Sequence, residues 1–198
     1  MTTVVLDHTD EWVQADLEAD PRRWAQTTIL RRAARERAEL SAERVGLLVD
    51  VMVPALEAAR KEEIPPVMLL FLQPVAAEPV ICSVVVRVEA VPESLPTAGL
   101  LEEFRLPEEM LEQPAVQETI QTPAGPAVHL VQRYRAPVNP EYELVQEHEV
   151  FVWRVSDSQG DLAFYLSTGY LDLVEAARCR PKLVELASTL TVTSDPVS

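Results

Sequence analysis

The spacing of apolar residues along this chain changes at Pro65-Pro66. Before this pair, from Val45 to Ala59, apolar residues recur every three or four positions. That spacing is typical of one buried face of a helix. After the pair, from Val80 to Val91, the apolar positions recur every second residue, as in a strand. The chain is therefore predicted to form helices first and then a sheet, which favours the α+β class.

Capping residues indicate where the helices begin. Asp20-Pro21 predicts the start of a first helix that runs to Leu40, because aspartate caps free backbone amides and proline fits the first helical turn. Ser41 predicts the start of a second helix that ends near Glu63. Asp172 predicts the start of a last helix.

Six segments have the pattern of strands, and they occur in three consecutive pairs. They are Val67–Gln73, Val80–Val91, Val116–Gln121, Val128–Arg135, Leu144–Val155 and Leu162–Thr168. Neighbouring strands joined by short turns form hairpins. We therefore predict a mainly antiparallel sheet of about six strands, covered by two amino-terminal helices and a carboxyl-terminal helix. One domain is expected over residues 1–190, followed by a flexible tail over residues 191–198.

The charge of the chain argues against nucleic-acid binding. Its 198 residues include 32 Asp and Glu against 17 Lys and Arg, a net charge of −15. Such a chain repels the phosphates of nucleic acids, so no nucleic-acid partner is predicted. No apolar stretch is long enough for membrane insertion, and the first residues lack the pattern of a signal peptide. With Cys82 and Cys179 interpreted as reduced thiols, these features predict a cytoplasmic protein.

The common catalytic motifs are absent from the sequence. It contains no G-x-x-x-x-G-K, G-x-G-x-x-G, H-E-x-x-H, C-x-x-C or G-x-S-x-G pattern. These patterns position phosphates, zinc ions or nucleophiles. We therefore predict no catalytic residues and no cofactor, and the interpretation leans away from an enzyme.

A weak metal-site pattern occurs on two neighbouring strands. Two histidines and a carboxylate can bind a divalent metal or relay a proton. If the strands pair as expected, His129 lies opposite Val150 and His148 lies near Val131. The alternative is an ordinary polar sheet surface, which is the more common case, so no metal is predicted. The four candidates are His129, Glu147, His148 and Glu149.

The basic residues of the first helix suggest a partner-binding surface. Arg31 and Arg35 are four residues apart and therefore share a helix face, where they can dock an acidic partner or a phosphate. The alternative is a solvated face on which Arg32 pairs with Glu36 and Arg35 pairs with Glu39. Surfaces of this second kind are more common.

The final segments resemble a known class of folds. Phe164-Tyr165-Leu166-Ser167-Thr168, a helix, and Leu186-Ala187-Ser188-Thr189-Leu190 are similar to the last strand and helix of Mog1/PsbP-like α/β/α sandwich proteins. The chain also resembles uncharacterised cytoplasmic proteins of high-GC actinobacteria in its use of Ala, Val, Arg and Glu. This resemblance implies a non-enzymatic binding or assembly factor, and it assigns no functional residue.

Together these features predict a non-catalytic cytoplasmic module that binds another protein or assembles as a homodimer. The alternative is a small-molecule or lipid-binding protein, or an enzyme, with a cavity between sheet and helices.

Overall fold

The computed structural model describes residues 2–62, 66–75, 77, 81–139, 142–157 and 160–194. The chain divides into two compact units. The amino-terminal unit is Thr9–Val84, and the carboxyl-terminal unit combines Met1–His8 with Val85–Ser198. The expectation of one domain over residues 1–190 stays a prediction.

The strands and α-helices follow one another in the order β1 (Thr2–Leu6), β2 (Trp12–Gln14), α1 (Pro21–Glu36), α2 (Ala42–Arg60), β3 (Val67–Leu72), β4 (Ile81–Val91), β5 (Val116–Thr122), β6 (Gly125–Asn139), β7 (Tyr142–Asp157), β8 (Gly160–Tyr170), α3 (Leu173–Ser188) and β9 (Leu190–Ser194). Two 3-10 helices, Thr97–Phe104 and Glu108–Met110, lie between β4 and β5. The two long helices therefore precede most of the strands, as predicted.

The main sheet is antiparallel and has seven strands. Its strands are hydrogen-bonded in the order β2-β3-β4-β8-β7-β6-β5. All pairings with a described register are antiparallel. This confirms the predicted α+β class with a mainly antiparallel sheet. The additional strand is β2, whose three residues pair with β3 at one end of the sheet.

A separate two-stranded sheet joins the two ends of the chain. β1 pairs with β9 from Thr2 opposite Ser194 to Leu6 opposite Leu190. Residues 191–194 are therefore part of a strand, whereas a flexible tail was expected from residue 191; residues 195–198 lie outside the described residues. The β-branched residues Thr191, Val192 and Thr193 favour extended backbone, but their pairing partner is at the opposite end of the sequence.

In the amino-terminal unit, α1 and α2 pack with β3 around one apolar core. The buried residues of α2 are the predicted helix face: Val45, Leu48, Val49, Met52, Leu56 and Ala59. They join Ala25, Ile29 and Ala33 of α1 and Met68, Leu70 and Leu72 of β3. The three-and-four spacing therefore predicted the orientation of α2 correctly.

The helix caps also agree with the sequence. The side chain of Asp20 accepts a hydrogen bond from the backbone N–H of Arg23 at 2.8 Å, and Ser41 caps α2 in the same way. α1 ends before the predicted Leu40, because Arg37 adopts the left-handed conformation with φ 55°. This residue ends the helix without a glycine.

In the carboxyl-terminal unit, the β6–β7–β8 part of the sheet has a covering layer on each face. The 3-10 helix Thr97–Phe104 contacts β6 and β7, and α3 contacts β7 and β8. The face under the 3-10 helix is apolar. Its buried residues include Val128, Leu130, Val150, Val152, Ala163 and Tyr165, with Leu100 and Leu101 from the 3-10 helix.

Candidate functional site

The register of the β6–β7 hairpin places the predicted metal-site candidates. His129 lies opposite Phe151, and His148 lies opposite Gln132. The expected partners were Val150 and Val131, so the prediction was wrong by one residue. The strands extend to Asn139 and restart at Tyr142, with a register shift near the turn. Every pairing from Ala127–Trp153 to Pro137–Glu143 is offset by one position from the expected register.

Strand alternation separates the two histidines. His129 lies on the face that carries Glu147 and Glu149, whereas His148 lies on the opposite face. There its ring stacks on Phe104, with 6.2 Å between ring centroids. Burial lowers the pKa of His148, and nearby Glu149 partly offsets this effect. Within the described parts of the chain, no group of three or more His, Cys, Asp or Glu side chains is arranged to hold a metal ion.

The two carboxylates are buried and bound by arginines. Glu147 and Glu149 are each 0% exposed. Arg133 on β6 donates from Nε to Glu147 at 2.7 Å. Arg180 on α3 binds both carboxylates, Glu147 through Nη2 and Glu149 through Nε at 3.3 Å. Desolvation lowers the pKa of Arg180, but Glu149 and Glu147 outweigh it, and the net shift is upward. Each carboxylate therefore has a cationic partner.

His129 bridges the buried and the exposed parts of this group. Its Nε2 lies 2.7 Å from Glu149 Oε1, and its Nδ1 lies 3.1 Å from Glu118 Oε1. Its ring stacks on Phe151 with 4.0 Å between centroids. His129 therefore contacts a buried carboxylate through one ring nitrogen and an exposed carboxylate through the other.

We name the six residues Glu118, His129, Arg133, Glu147, Glu149 and Arg180 the charge cluster. Its three carboxylates face two guanidinium groups and one imidazole ring. These pairings, and the burial of Glu147 and Glu149, fit a polar network that fixes α3 against the sheet. The sequence pattern identified three of the six residues. Arg133 could have been identified as the partner of Glu147, but Arg180 is on a helix that sequence spacing does not connect to β7.

The predicted partner-binding arginines lie at a second location, on α1. A cleft of ≈180 Å³ is lined by Asp10, Val13, Thr28, Arg31, Arg32 and Arg35. We call it the arginine cleft. Arg32 forms a half-buried ion pair with Glu36 and donates to the backbone carbonyl of Asp10 at 2.6 Å. Arg35 pairs with the Asp10 carboxylate at 3.1 Å rather than with Glu39.

Arg31 differs from its two neighbours. It is exposed, and among the described residues it has no ion-pair partner. The structure therefore brings Arg31 and Arg35 together with Arg32. It leaves one of the three guanidinium groups available to a ligand.

A larger groove lies between α1 and α2. Its volume is ≈400 Å³, and its lining includes Leu30, Leu40, Val45, Gly46 and Val49, with Arg22 beside them. It is open to solvent and lies between two helices, whereas the sequence-based alternative placed a cavity between helices and sheet.

The cysteines and the hydropathy of the helices are relevant to where the protein acts. Cys82 and Cys179 are both buried and form no disulfide with each other. Among the described helices, none combines the length and the apolar character that crossing a bilayer needs.

Comparison with known proteins gives a similarity in fold alone. No protein-family description matches the chain. No curated protein sequence matches it either. Among solved structures, the chain is similar to LpqN of Mycobacterium tuberculosis, a protein involved in cell envelope biogenesis. The TM-score is 0.50 at 13% sequence identity, and the match covers 98% of this chain and 85% of LpqN.

Proposed function

We propose that this protein is a non-catalytic module that binds an acidic segment of another protein through the arginine cleft. The observation that carries the proposal is the exposed guanidinium of Arg31, which has no ion-pair partner among the described residues and lies beside Arg32 and Arg35. Guanidinium groups bind carboxylates in a fixed, two-pronged geometry, which makes them suitable for recognising acidic side chains.

The cleft is also pre-arranged. Arg32 is largely buried and held by Glu36 and by the Asp10 carbonyl, so its side chain is ordered before a ligand arrives, while Arg35 pairs with Asp10 at the surface. Val13 and Thr28 supply a partly apolar floor against which the stem of a bound side chain can pack. Since ordered groups lose less entropy on binding, such a cleft favours association.

The distribution of charge supports binding at this end of the chain. Residues 1–61 carry 9 basic and 11 acidic groups, whereas residues 62–198 carry 8 basic and 21 acidic groups. An acidic ligand is therefore repelled least by the part of the chain that contains the arginine cleft. The resemblance to Mog1/PsbP-like proteins of the actinobacterial type, which act mostly as binding or assembly factors, agrees with this proposal.

The test uses a fluorescein-labelled hexaglutamate peptide and fluorescence anisotropy. We expect binding that weakens as salt concentration rises, and a Kd about tenfold higher in the double variant Arg31→Gln/Arg35→Gln. The matched control is Arg22→Gln/Arg23→Gln, which removes the same charge from two exposed residues at the start of α1. No binding by the unmodified protein, or an equal loss in the control, contradicts the proposal.

A second candidate function rests on the groove between α1 and α2. Its ≈400 Å³ volume lies within the range of small-molecule sites, and its lining is largely apolar. The probe is the dye 1-anilino-8-naphthalenesulfonate. A Cβ added at Gly46 meets no atom within 4 Å, so Gly46→Leu is chosen to place a side chain in the groove. Dye fluorescence that is equal in this variant and in the unmodified protein excludes the groove as the site.

We further propose that the protein acts in the cytoplasm. Its two cysteines are both buried, and the sequence-based interpretation of them as reduced thiols is typical of a reducing compartment. Because LpqN is involved in cell envelope biogenesis, action at the envelope is the alternative. Fractionation of host cells with an antibody against the chain distinguishes the two, and recovery in the envelope fraction overturns the cytoplasmic proposal.

A further inference from the structure

One end of the main sheet has an exposed strand. β5 pairs with β6 along its whole length, from Val116 opposite Val131 to Thr122 opposite Gly125. It is the last strand in the order of the sheet, so among the described strands it has a partner on one side alone. The other side presents a row of backbone N–H and C=O groups that can pair with a further strand.

β5 lacks most of the features that normally prevent such pairing. Proteins protect edge strands with very short length, lysine, proline, or a bulge. β5 has seven residues, VQETIQT, without lysine, arginine or proline. Its register with β6 shows no shift. Its single charged residue is Glu118, and that side chain is already bound to His129 at 3.1 Å.

The opposite end of the sheet is different. β2 has three residues, so it offers a much shorter edge. The carbonyl of Asp10, next to β2, accepts a hydrogen bond from the Arg32 side chain at 2.6 Å. The contrast indicates that one edge is protected and the other is available.

The sequence of β5 is complementary to itself. In an antiparallel pair centred on Thr119, Thr119 faces its own copy and Glu118 faces Ile120. Gln117 then faces Gln121, and Val116 faces Thr122. No like charges are opposed, and threonine and glutamine pairs can hydrogen-bond across the strands.

From this geometry we propose that β5 is a homodimer interface, in which two copies of the chain pair their β5 strands antiparallel about a two-fold axis. The two seven-stranded sheets then form one continuous sheet, and the same residues of each copy contact each other. A seven-residue ladder is a small interface, so the dimer dissociates on dilution. The inference goes beyond the proposed function, because it uses a different surface from the arginine cleft.

Sedimentation velocity of the full chain over a wide range of concentrations tests this interface. We expect a monomer–dimer equilibrium in the unmodified protein. Thr119→Lys places two lysines opposite each other, and Thr119→Glu places two glutamates, so each variant alone is expected to raise the dimer Kd about tenfold or more. An equimolar mixture of the two variants is expected to restore the dimer, because lysine then faces glutamate.

Thr119→Val is the matched control, since it keeps a β-branched side chain without charge and is expected to dimerise. Circular dichroism and urea unfolding verify that each variant is folded. A monomer at every concentration, unchanged dimerisation in the charged variants, or no recovery in the mixture overturns the proposal. Loss of peptide binding in Arg31→Gln/Arg35→Gln has no bearing on these outcomes, so the two proposals fail separately.

Discussion

The two faces of the β6–β7 hairpin stabilise the carboxyl-terminal unit in different ways. One face is apolar, with Leu130 and Val150 fully buried against the 3-10 helix Thr97–Phe104. The other face buries Glu147 and Glu149 just as completely, under α3. Because strand side chains alternate, adjacent residues of one strand enter these two environments.

Side chains that are equally buried on the two faces therefore need different partners. On the apolar face each side chain contributes on its own, roughly in proportion to the area that it buries. On the charged face a buried carboxylate is tolerated while its arginine is present, and it becomes strongly unfavourable without that arginine. The charged face therefore depends on a complete set of partners from three elements.

The largest effect is expected for Arg180→Met. This change keeps most of the apolar stem and removes the guanidinium that binds both buried carboxylates. We expect a loss of about 4 kcal/mol in the free energy of unfolding, measured by urea denaturation. Adding Glu147→Gln and Glu149→Gln to this variant is expected to recover part of that loss, because the two fully buried side chains at these positions are then uncharged.

The control for this prediction is Arg178→Met on the exposed side of α3. A surface substitution of this kind is expected to change stability by about 0.5 kcal/mol or less. If Arg180→Met costs no more than its control, the charge cluster does not stabilise the unit.

A smaller effect is expected on the apolar face. Leu130→Ala removes a fully buried side chain and is expected to cost about 3 kcal/mol. The adjacent Val131 is half-buried on the opposite face, and Val131→Ala is expected to cost about 1 kcal/mol. Thermal or urea unfolding of the two variants measures how much stability each face loses. Equal losses in the two variants contradict the difference in burial between Leu130 and Val131.

The smallest effect is a pH dependence that comes from His148 on the apolar face. Burial lowers its pKa in the folded chain below the ordinary value of 6.5. At pH values between these two pKa values, the unfolded chain binds more protons than the folded chain. The free energy of unfolding therefore falls as the pH falls. Above 6.5 this contribution to stability is fully present.

His148→Gln removes that titration. Unfolding free energies at about pH 5 and about pH 8 are expected to differ less in this variant than in the unmodified protein. An identical difference in the two proteins rejects a buried, neutral His148.

Local features of the fold were predictable from the sequence. The buried face of α2, the caps at Asp20 and Ser41, and the hairpin order of the later strands follow from spacing and from turn residues. These features depend on interactions within a few residues, and the sequence contains that information directly.

The charge cluster was predictable in part. Glu147, Glu149 and His129 were identified as candidates on neighbouring strands, but the pairing was off by one residue. The placement of His148 on the face away from the carboxylates agrees with strand alternation. The partner that Glu147 and Glu149 share is Arg180, which is 31 positions from Glu149 in the chain. Sequence spacing does not show this contact.

By itself, the sequence determined the three helices, the six main strands, their order and the antiparallel class, because helix and strand periodicity are local properties. The tertiary structure decided the hairpin register, the pairing of β9 with β1, and the partners of the buried carboxylates. Each of these joins residues far apart in the chain. The free energy of burying a charge depends on which side chains the fold brings within hydrogen-bonding distance.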